Sequence, residues 1–419
     1  MTIACPDCGV VQDIPRLNAG FAATCRLCRA TLETTAGRSI VAALACSLGT
    51  FLLLFPANLL PLLKIEVFGI TSTNTIAGGV IGLWNSGWIL LAGISGMFVV
   101  VLPFVRFAIL TLVLGTLLPG YRPRWLGAAF RWAVWLDPWA MLDVFLLASF
   151  VGYYRLAHVH QAQLFVQAGG MCLFAAALLT MLSRSVLDRR TVWREIAPEY
   201  VARAGEKVVS CTVCDMVQPS SATGTRCPRC RAVLHARLPD AIVRTAALGL
   251  ASLVLFFPAN IYPMNISDQL GTRHSYTIFT GIEDLFSGGL WPLGILIFCT
   301  SIAIPFGKIV IILWCVWSAK IRSTKHLELK TKLFRAVAEL GRWSKTDPYT
   351  IVFFVPLMNF GVLASARAGW GATAFVMMTF LSMVASYTFD PRLMWDALGD
   401  AQAEQQVAPG SPLAAPRTS

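Results

Sequence analysis

Eight of the twelve cysteines in this 419-residue chain fall into two sets whose spacing suits metal coordination. Cys5, Cys8, Cys25 and Cys28 form C-x2-C-x16-C-x2-C, and Cys211, Cys214, Cys227 and Cys230 form C-x2-C-x12-C-x2-C. In each set two tight turns aim two pairs of sulfurs at one ion about 2.3 Å away, the tetrahedral four-thiolate geometry of structural zinc. Iron in a rubredoxin-like site and redox-active thiols are the alternatives. Four thiolates leave no open coordination position, so both sets read as structural ribbons. Each lies within about a dozen residues of a long apolar run, which favours a small cap over a nucleic-acid reader. Cys46, Cys172, Cys299 and Cys315 lie inside apolar runs and read as packing residues.

A second group is ionic. Arg106 and Lys308 interrupt long apolar runs, and Asp143 and Asp347 stand in the first turns of the runs that follow. A charge at bilayer depth costs roughly 2.5–3.5 kcal/mol, so such residues face a partner or a wet cavity. The economical pairing is Arg106 with Asp143 and Lys308 with Asp347. Either the pairs only staple helices, or one of them lines a polar path. The second pair is the better candidate for a path, because Ser344 and Thr346 crowd its turn and Thr379, Ser382 and Ser386 follow on the next run. Those hydroxyls equally suit ordinary interhelical hydrogen bonds.

The third group breaks helices. "FPANLLP" carries Pro56, Asn58 and Pro61, and "FPANIYP" carries Pro258, Asn260 and Pro263. The prolines deprive the carbonyls of Leu52, Ala57, Val254 and Ala259 of their helical donors. Lipid does not tolerate orphaned backbone groups, so these bends face protein or water, with the asparagines filling part of the deficit.

The elements that position these groups are membrane spans. The chain is 56% hydrophobic and 13% charged, and its mean hydropathy is +0.65. Residues 39–63 hold twenty-five positions without a charge, enough for a bilayer of about 30 Å. Eight spans follow, at about 39–63, 87–118, 138–156, 162–183, 245–267, 287–318, 346–366 and 370–389. The start of the chain lacks a basic stretch and a cleavage site, so the first span reads as the insertion signal. Twenty-one lysines and arginines fall on one side of this arrangement and four on the other, which puts both termini and the cysteine ribbons in the cytoplasm.

The chain is also a tandem duplication. The "FPAN" segments, "LPF" against "IPF", and Arg106 against Lys308 repeat at an offset of 202; Phe130, Arg131, Trp139 and Asp143 match Phe334, Arg335, Trp343 and Asp347 at 204. An even number of spans per unit makes the copies parallel. The expectation is an all-α polytopic membrane protein: ribbon 1 at 1–35, a four-span bundle at 36–184, a linker at 185–208, ribbon 2 at 209–236, a second four-span bundle at 237–396 and a disordered tail at 397–419. The outer loops 64–86 and 268–286 read as docking surfaces.

With its doubled ribbons, doubled "FPAN..P", "PF.[RK]" in the long spans and "WAMLDVF" at 139–145, the chain resembles the paraquat-inducible protein A family, the PqiA/LetA group of bacterial inner-membrane proteins. The second copy departs at 343–349, "WSKTDPY", so the halves have specialised. The resemblance implies phospholipid movement across the envelope with a periplasmic MCE-domain partner, tetraspanin-like bundles, and a polar network around Lys308, Asp347 and the last-span hydroxyls. A scaffold that merely anchors the MCE protein, and a thiol-redox membrane protein, are the alternatives. The five histidines form no ligand set, and no nucleophile–base pair or phosphate loop stands out, so the reading is not an enzyme.

Overall fold

The computed structural model describes residues 2–14, 22–34, 39–67, 70–140, 142–157, 163–197, 208–269, 272–341 and 364–398. Ribbon 1 is two small hairpins, β1 (Thr2–Ala4) with β2 (Val11–Asp13) and β3 (Ala22–Thr24) with β4 (Thr31–Thr34). The first unit runs α1 (Ile40–Leu59), β5 (Leu63–Val67), β6 (Ile70–Asn74), α2 (Ile76–Asn85) and α3 (Ile89–Gly96). It continues through a wide π turn (Met97–Val101), α4 (Leu102–Leu117), α5 (Leu126–Leu136), α6 (Leu142–Ala157), β7 (Gln163–Val166) and α7 (Ala168–Val186). A short helix α8 (Arg189–Ile196) leads to ribbon 2, whose strands are β8 (Val208–Ser210) and β9 (Val217–Pro219).

The second unit repeats the order: α9 (Ala241–Ile261), β10 (Asn265–Gln269), β11 (Thr272–Tyr276), α10 (Ile278–Ser287), α11 (Trp291–Phe298), a π turn (Cys299–Ala303), α12 (Ile304–Lys320), α13 (Leu327–Leu340), β12 (Ala364–Ala368) and α14 (Trp370–Thr388). Both π turns precede a proline, Pro103 or Pro305, whose missing N–H and ring the wider turn accommodates.

Among the described residues six helices are long and apolar enough to cross a membrane: α1, α7, α9, α14 and the continuous rods Ile89–Leu117 and Trp291–Lys320. At 29 and 30 residues the rods are about 45 Å long, well beyond the hydrocarbon thickness. Of the eight expected runs, 138–156 is occupied by the shorter α6, and 346–366 lies almost wholly outside the described residues. The all-α expectation is corrected to mostly helical. Residues expected in loops and at span edges form two three-stranded antiparallel sheets, ordered β6-β5-β7 and β11-β10-β12. These strands are four or five residues long and abut apolar helices, so their alternation is lost beside the stronger helical signal.

Each unit is closed by its first and last helices. Ala43, Ser47, Thr50 and Ala57 of α1 are buried, as are Gly169, Ala176, Ala177 and Thr180 of α7, so the two backbones approach closely on small residues. The proline breaks sit at this contact. The Pro61 carbonyl accepts from the Gly169 N–H at 3.0 Å, and the Pro263 carbonyl from the Gly371 N–H at 3.1 Å. Asn58 and Asn260 do not fill the deficits at Leu52 and Val254; each Nδ2 donates at 2.8 Å to a carbonyl one turn back, Leu54 or Phe256.

Both ribbons lie at the opposite end from the sheets, and their placement is crossed. Ribbon 1 does not brace α1. Its buried face, with Ile3, Ile14 and Leu32, packs against Ile312, Val316, Phe334 and Trp395 of the second unit. Arg335 of α13 pairs with Asp7 at 2.8 Å and donates to the Cys28 carbonyl at 3.3 Å. Ribbon 2 in turn sits on the first unit, where a Cβ on Gly127 of α5 would lie 1.9 Å from the Arg229 carbonyl. Between the ribbons, α8 sets Trp193 edge-to-face against Phe130 and reaches each side, Arg190 to Asp215 at 3.6 Å and Arg194 to Glu33 at 2.7 Å.

That contact gives a direct test of the crossing. Gly127→Ala places a methyl against backbone and should cost about 1–3 kcal/mol, read as a lower melting temperature in detergent. Gly115→Ala in α4, where a Cβ meets nothing within 4 Å, should be neutral or slightly stabilising.

Candidate functional site

All eight motif cysteines are buried, and they gather as the spacing predicts. In ribbon 1 the Cys5 and Cys28 sulfurs are 3.4 Å apart and those of Cys8 and Cys25 3.5 Å apart. In ribbon 2 the Cys211–Cys230 and Cys214–Cys227 distances are 3.5 and 3.6 Å. A tetrahedron with metal–sulfur bonds of about 2.3 Å puts its sulfurs about 3.8 Å apart, whereas a disulfide needs about 2.05 Å. The cysteines are unbridged. Each pair is held by one repeated turn: the N–H of Gly9, Arg29, Asp215 or Arg231 bonds the carbonyl of the first cysteine. These four residues take φ of 76°, 56°, 55° and 60° respectively, in the left-handed region, which three of them adopt without being glycine. Both clusters can therefore hold a metal ion.

The ionic residues are organised differently from the expectation. Arg106 and Asp143 are buried, at 2% and 8% exposure, but they do not pair with one another. Arg106 Nη2 meets Asp137 Oδ1 at 2.6 Å, while Arg184 Nη1 takes Asp143 Oδ2 at 2.6 Å. Arg184 Nε also reaches Asp137 Oδ1 at 3.0 Å, and Arg189 Nη2 reaches Asp137 Oδ2 at 2.5 Å. The cause is α5. It packs back along α4 and delivers its C-cap, Asp137, beside Arg106, while Asp143 starts the next helix and faces the last turn of α7. Asp137, Arg184 and Arg189 were missed because the first stands in a turn and the arginines read as charges flanking a span.

Asp137 stands outside the spanning helices. Burial alone would raise its carboxyl, but the guanidiniums of Arg106, Arg184 and Arg189 outweigh burial and hold it below the usual carboxylate range. Its contribution to stability is thus complete above a pH of about 4 and is lost only as pH falls below that. Arg106 lies over the Phe107 ring at 4.7 Å, and its Nε and Nη1 are buried without a hydrogen-bond partner among the described residues. The cluster borders a cavity of about 190 Å³.

Among its described residues the second unit shows no equivalent of this lattice. At the offset of 204, Asp137 corresponds to Gly341, and at 202, Arg184 corresponds to Ser386. Lys308 is 3% exposed, and no described residue forms an ion pair with it. Its Nζ lies 2.9 Å from where a Cβ on Gly341 would be. Asp347, Ser344 and Thr346 lie outside the described residues. On α14, Ser382 and Ser386 donate back to their own helix, at Thr379 O and Ser382 O (2.8 and 2.9 Å), and buried Thr379 Oγ1 has no partner among the described residues. Ser252 of α9 crosses to the Met378 carbonyl at 2.9 Å. Thr300 and Ser301 in the π turn are buried where the first unit has Phe98 and Val99. The same offset would have pointed to them.

Two tests follow. Asp137→Ala leaves three guanidiniums around one carboxylate and should cost about 3–5 kcal/mol in detergent melts. Glu195→Ala, which breaks the exposed 2.8 Å pair with Arg122, should cost less than about 1 kcal/mol. For the metal, Cys28→Ser should halve the metal content and, by hydrogen exchange, loosen α12 and α13 more than the α1 that follows it in sequence. Loosening confined to α1 would refute the crossed caps.

The comparisons with known proteins fit this doubled architecture. A family model described as Paraquat-inducible protein A matches residues 40–197 and again 242–399. The chain is 30% identical to Intermembrane transport protein PqiA of Escherichia coli strain K12, over 96% of this chain and 97% of the relative. It is also 30% identical to Lipophilic envelope-spanning tunnel protein A of the same organism, over 94% and 91%. A Probable intermembrane transport protein of Haemophilus influenzae is 24% identical over 94% and 95%. No solved structure matches. With six membrane-length helices, and relatives aligned from the first ribbon to the last helix, this is a multi-pass envelope membrane protein with a transport relationship. Both halves carry the same family block, and the chain belongs to the paraquat-inducible protein A family.

Proposed function

We propose that this chain is the inner-membrane component of an MCE-type intermembrane lipid-transport system, loading phospholipid into, or receiving it from, a periplasmic MCE-domain tunnel. The observation that carries this reading is the match, across both units, to relatives named for intermembrane transport and for an envelope-spanning tunnel. In this reading α6 and the segment 346–366 supply the seventh and eighth spans. The ribbons and both termini face the cytoplasm, where thiols stay reduced and the four-cysteine sites hold zinc. The sheets and proline breaks then face the periplasm, where the MCE partner docks.

The second unit carries the transport step. The first unit neutralises Arg106 with a fixed carboxylate, whereas the second leaves Lys308 beside a glycine and lines the neighbouring helices with hydroxyls. Among the described residues Lys308 has no carboxylate beside it, and a buried ammonium changes its charge or its partner more readily than a guanidinium, which a moving polar path requires. Lys308 and Asp347 form the core of that path, with Ser344, Thr346, Thr379, Ser382 and Ser386 around them. The first unit's ionic lattice serves as a rigid staple.

Phospholipid transfer from vesicles carrying the full-length chain and an MCE-domain protein tests this. Lys308→Ala and Asp347→Ala should each slow transfer by about tenfold or more, with yield and MCE capture unchanged. Gly341→Asp, which gives Lys308 the counter-ion that Arg106 has, should also slow transfer; its Cβ falls 2.9 Å from the Val337 carbonyl, so a modest drop in melting temperature accompanies it. Wild-type transfer in all three variants would reduce the chain to an anchor.

A further inference from the structure

We infer that the outward face of α5 in the first unit is a docking surface for anionic phospholipid headgroups, in the leaflet on the ribbon side of the bilayer. The surface needs neither the transport step nor a particular orientation of the chain. Trp125, Ala128, Trp132 and Trp135 recur at helical spacing and form one stripe along α5 and its N-cap. The three tryptophans are 42%, 50% and 55% exposed, while Leu126, Phe130 and Ala133 off the stripe are buried. The contact with ribbon 2, at Gly127, also lies off the stripe. Arg124 and Arg131, seven positions apart, line one edge of it, and neither has an ion pair among the described residues.

The position of the stripe decides what covers it. Asp137, the C-cap of α5, is held by Arg184 in the last turn of the membrane-length α7, so the end of α5 is level with the end of a span. Trp132 lies 5.5 Å from Trp135, Trp135 lies 5.9 Å from Trp139, and Trp139 lies 5.9 Å from Tyr387. Tyr387 is half exposed, one residue before the membrane-length α14 ends. The aromatic run thus continues from the end of one span onto α5. Tryptophan and tyrosine concentrate at this boundary because the ring sits in apolar chains while the N–H or O–H stays wet. At about 1.5 Å per residue, Trp135 and Trp132 stand about 3 and 8 Å beyond Asp137, which is about the depth of one headgroup layer.

Charge selects the kind of lipid. Residues 118–136 contain Arg122, Arg124 and Arg131 and no acid. Arg122 is taken by Glu195 at 2.8 Å, which leaves two guanidiniums beside the tryptophans. A guanidinium is weakly hydrated and matches two oxygens of one phosphate, so it suits the headgroup layer, and an anionic leaflet adds attraction that a zwitterionic one lacks. The second unit serves as an internal control. At the offset of 204, Arg124, Trp125, Trp132 and Trp135 become Glu328, Leu329, Ala336 and Glu339. Arg131 becomes Arg335, which is committed to Asp7 of ribbon 1, and Glu328 meets Arg29 of the same ribbon at 3.5 Å. The equivalent face there is acidic, without tryptophan and partly covered by protein, so only the first unit offers the surface.

The test uses the full-length chain in detergent. Phosphatidylglycerol and phosphatidylcholine with brominated acyl chains are titrated separately in mixed micelles, and quenching of tryptophan emission is read. Phosphatidylglycerol should reach half-quenching at a mole fraction about fivefold lower than phosphatidylcholine. The double variant Arg124→Gln/Arg131→Gln, which breaks no ion pair among the described residues, should melt as the wild type does and lose most of that difference. Trp132→Phe/Trp135→Phe should lower the quenched amplitude with both lipids. Equal curves in the wild type, an unchanged preference in the arginine variant, or an unchanged amplitude in the tryptophan variant overturns the surface. Binding of polyglutamate that the arginine variant loses, without any preference between the lipids, would assign the face to an acidic protein and overturn it equally. No lipid transfer enters this measurement, so its failure and the failure of the transport reading are separate results.

Discussion

A backbone carbonyl just past a helix that proline brings to an end must find another donor, and each unit finds one at the start of its own last helix. Pro61 and Pro263 accept from Gly169 and Gly371, and the next carbonyls, Leu62 and Met264, accept from Gln167 and Gly369. Those bonds fix where the first helix stops relative to where the last one starts. They also bring the strand that precedes the last helix alongside the strand that follows the first, so β7 pairs with β5 and β12 with β10. The sheet, the small-residue helix contact and the closed shape of each unit thus follow from one junction. The two junctions match bond for bond at the 202-residue offset, so the frame is common to both halves.

Within that common frame the interiors have diverged in a specific direction. In the first unit Phe98 stacks on Trp139 at 5.5 Å, Val99 is buried, and Arg106 is met by a carboxylate. In the second, hydroxyls stand at Thr300 and Ser301, and the cation is met by a glycine. Breaking a well-paired buried ion cluster costs several kcal/mol, so the first arrangement resists change. The lysine has no such cluster around it among the described residues, and the hydroxyls of its bundle bond mostly to their own helices. One half is therefore built to hold its shape, and the other has the composition of an element with more than one arrangement.

What the sequence made legible was whatever depends on local spacing. The metal ligands were readable because each pair sits on one turn, and the duplication because identical residues recur at a fixed offset. The long spans were readable from length and apolarity. The partner of Arg106 was not, because Asp137 and Asp143 are six positions apart and only the packing of α5 along α4 decides between them. Arg184 was counted as a flanking charge, since nothing local shows that its side chain turns inward to two aspartates. Five-residue strands beside twenty-residue apolar helices were likewise overwhelmed by the stronger periodicity.

The crossing of the ribbons belongs to the same class of tertiary choice, and it bears on how the halves act together. A structural metal contributes its binding energy to whatever its ligands fold against. Ribbon 1 folds against α12 and α13, and ribbon 2 against α5, so each unit's end is covered by a four-cysteine cluster, able to hold a metal ion, that is encoded in or before the other half. Helix α8 closes the loop by pairing with both ribbons. A simple stack of two self-capped bundles would let the halves tilt about the linker. Crossed caps transmit any such tilt to two metal clusters and to the Asp7–Arg335 pair, which resist it.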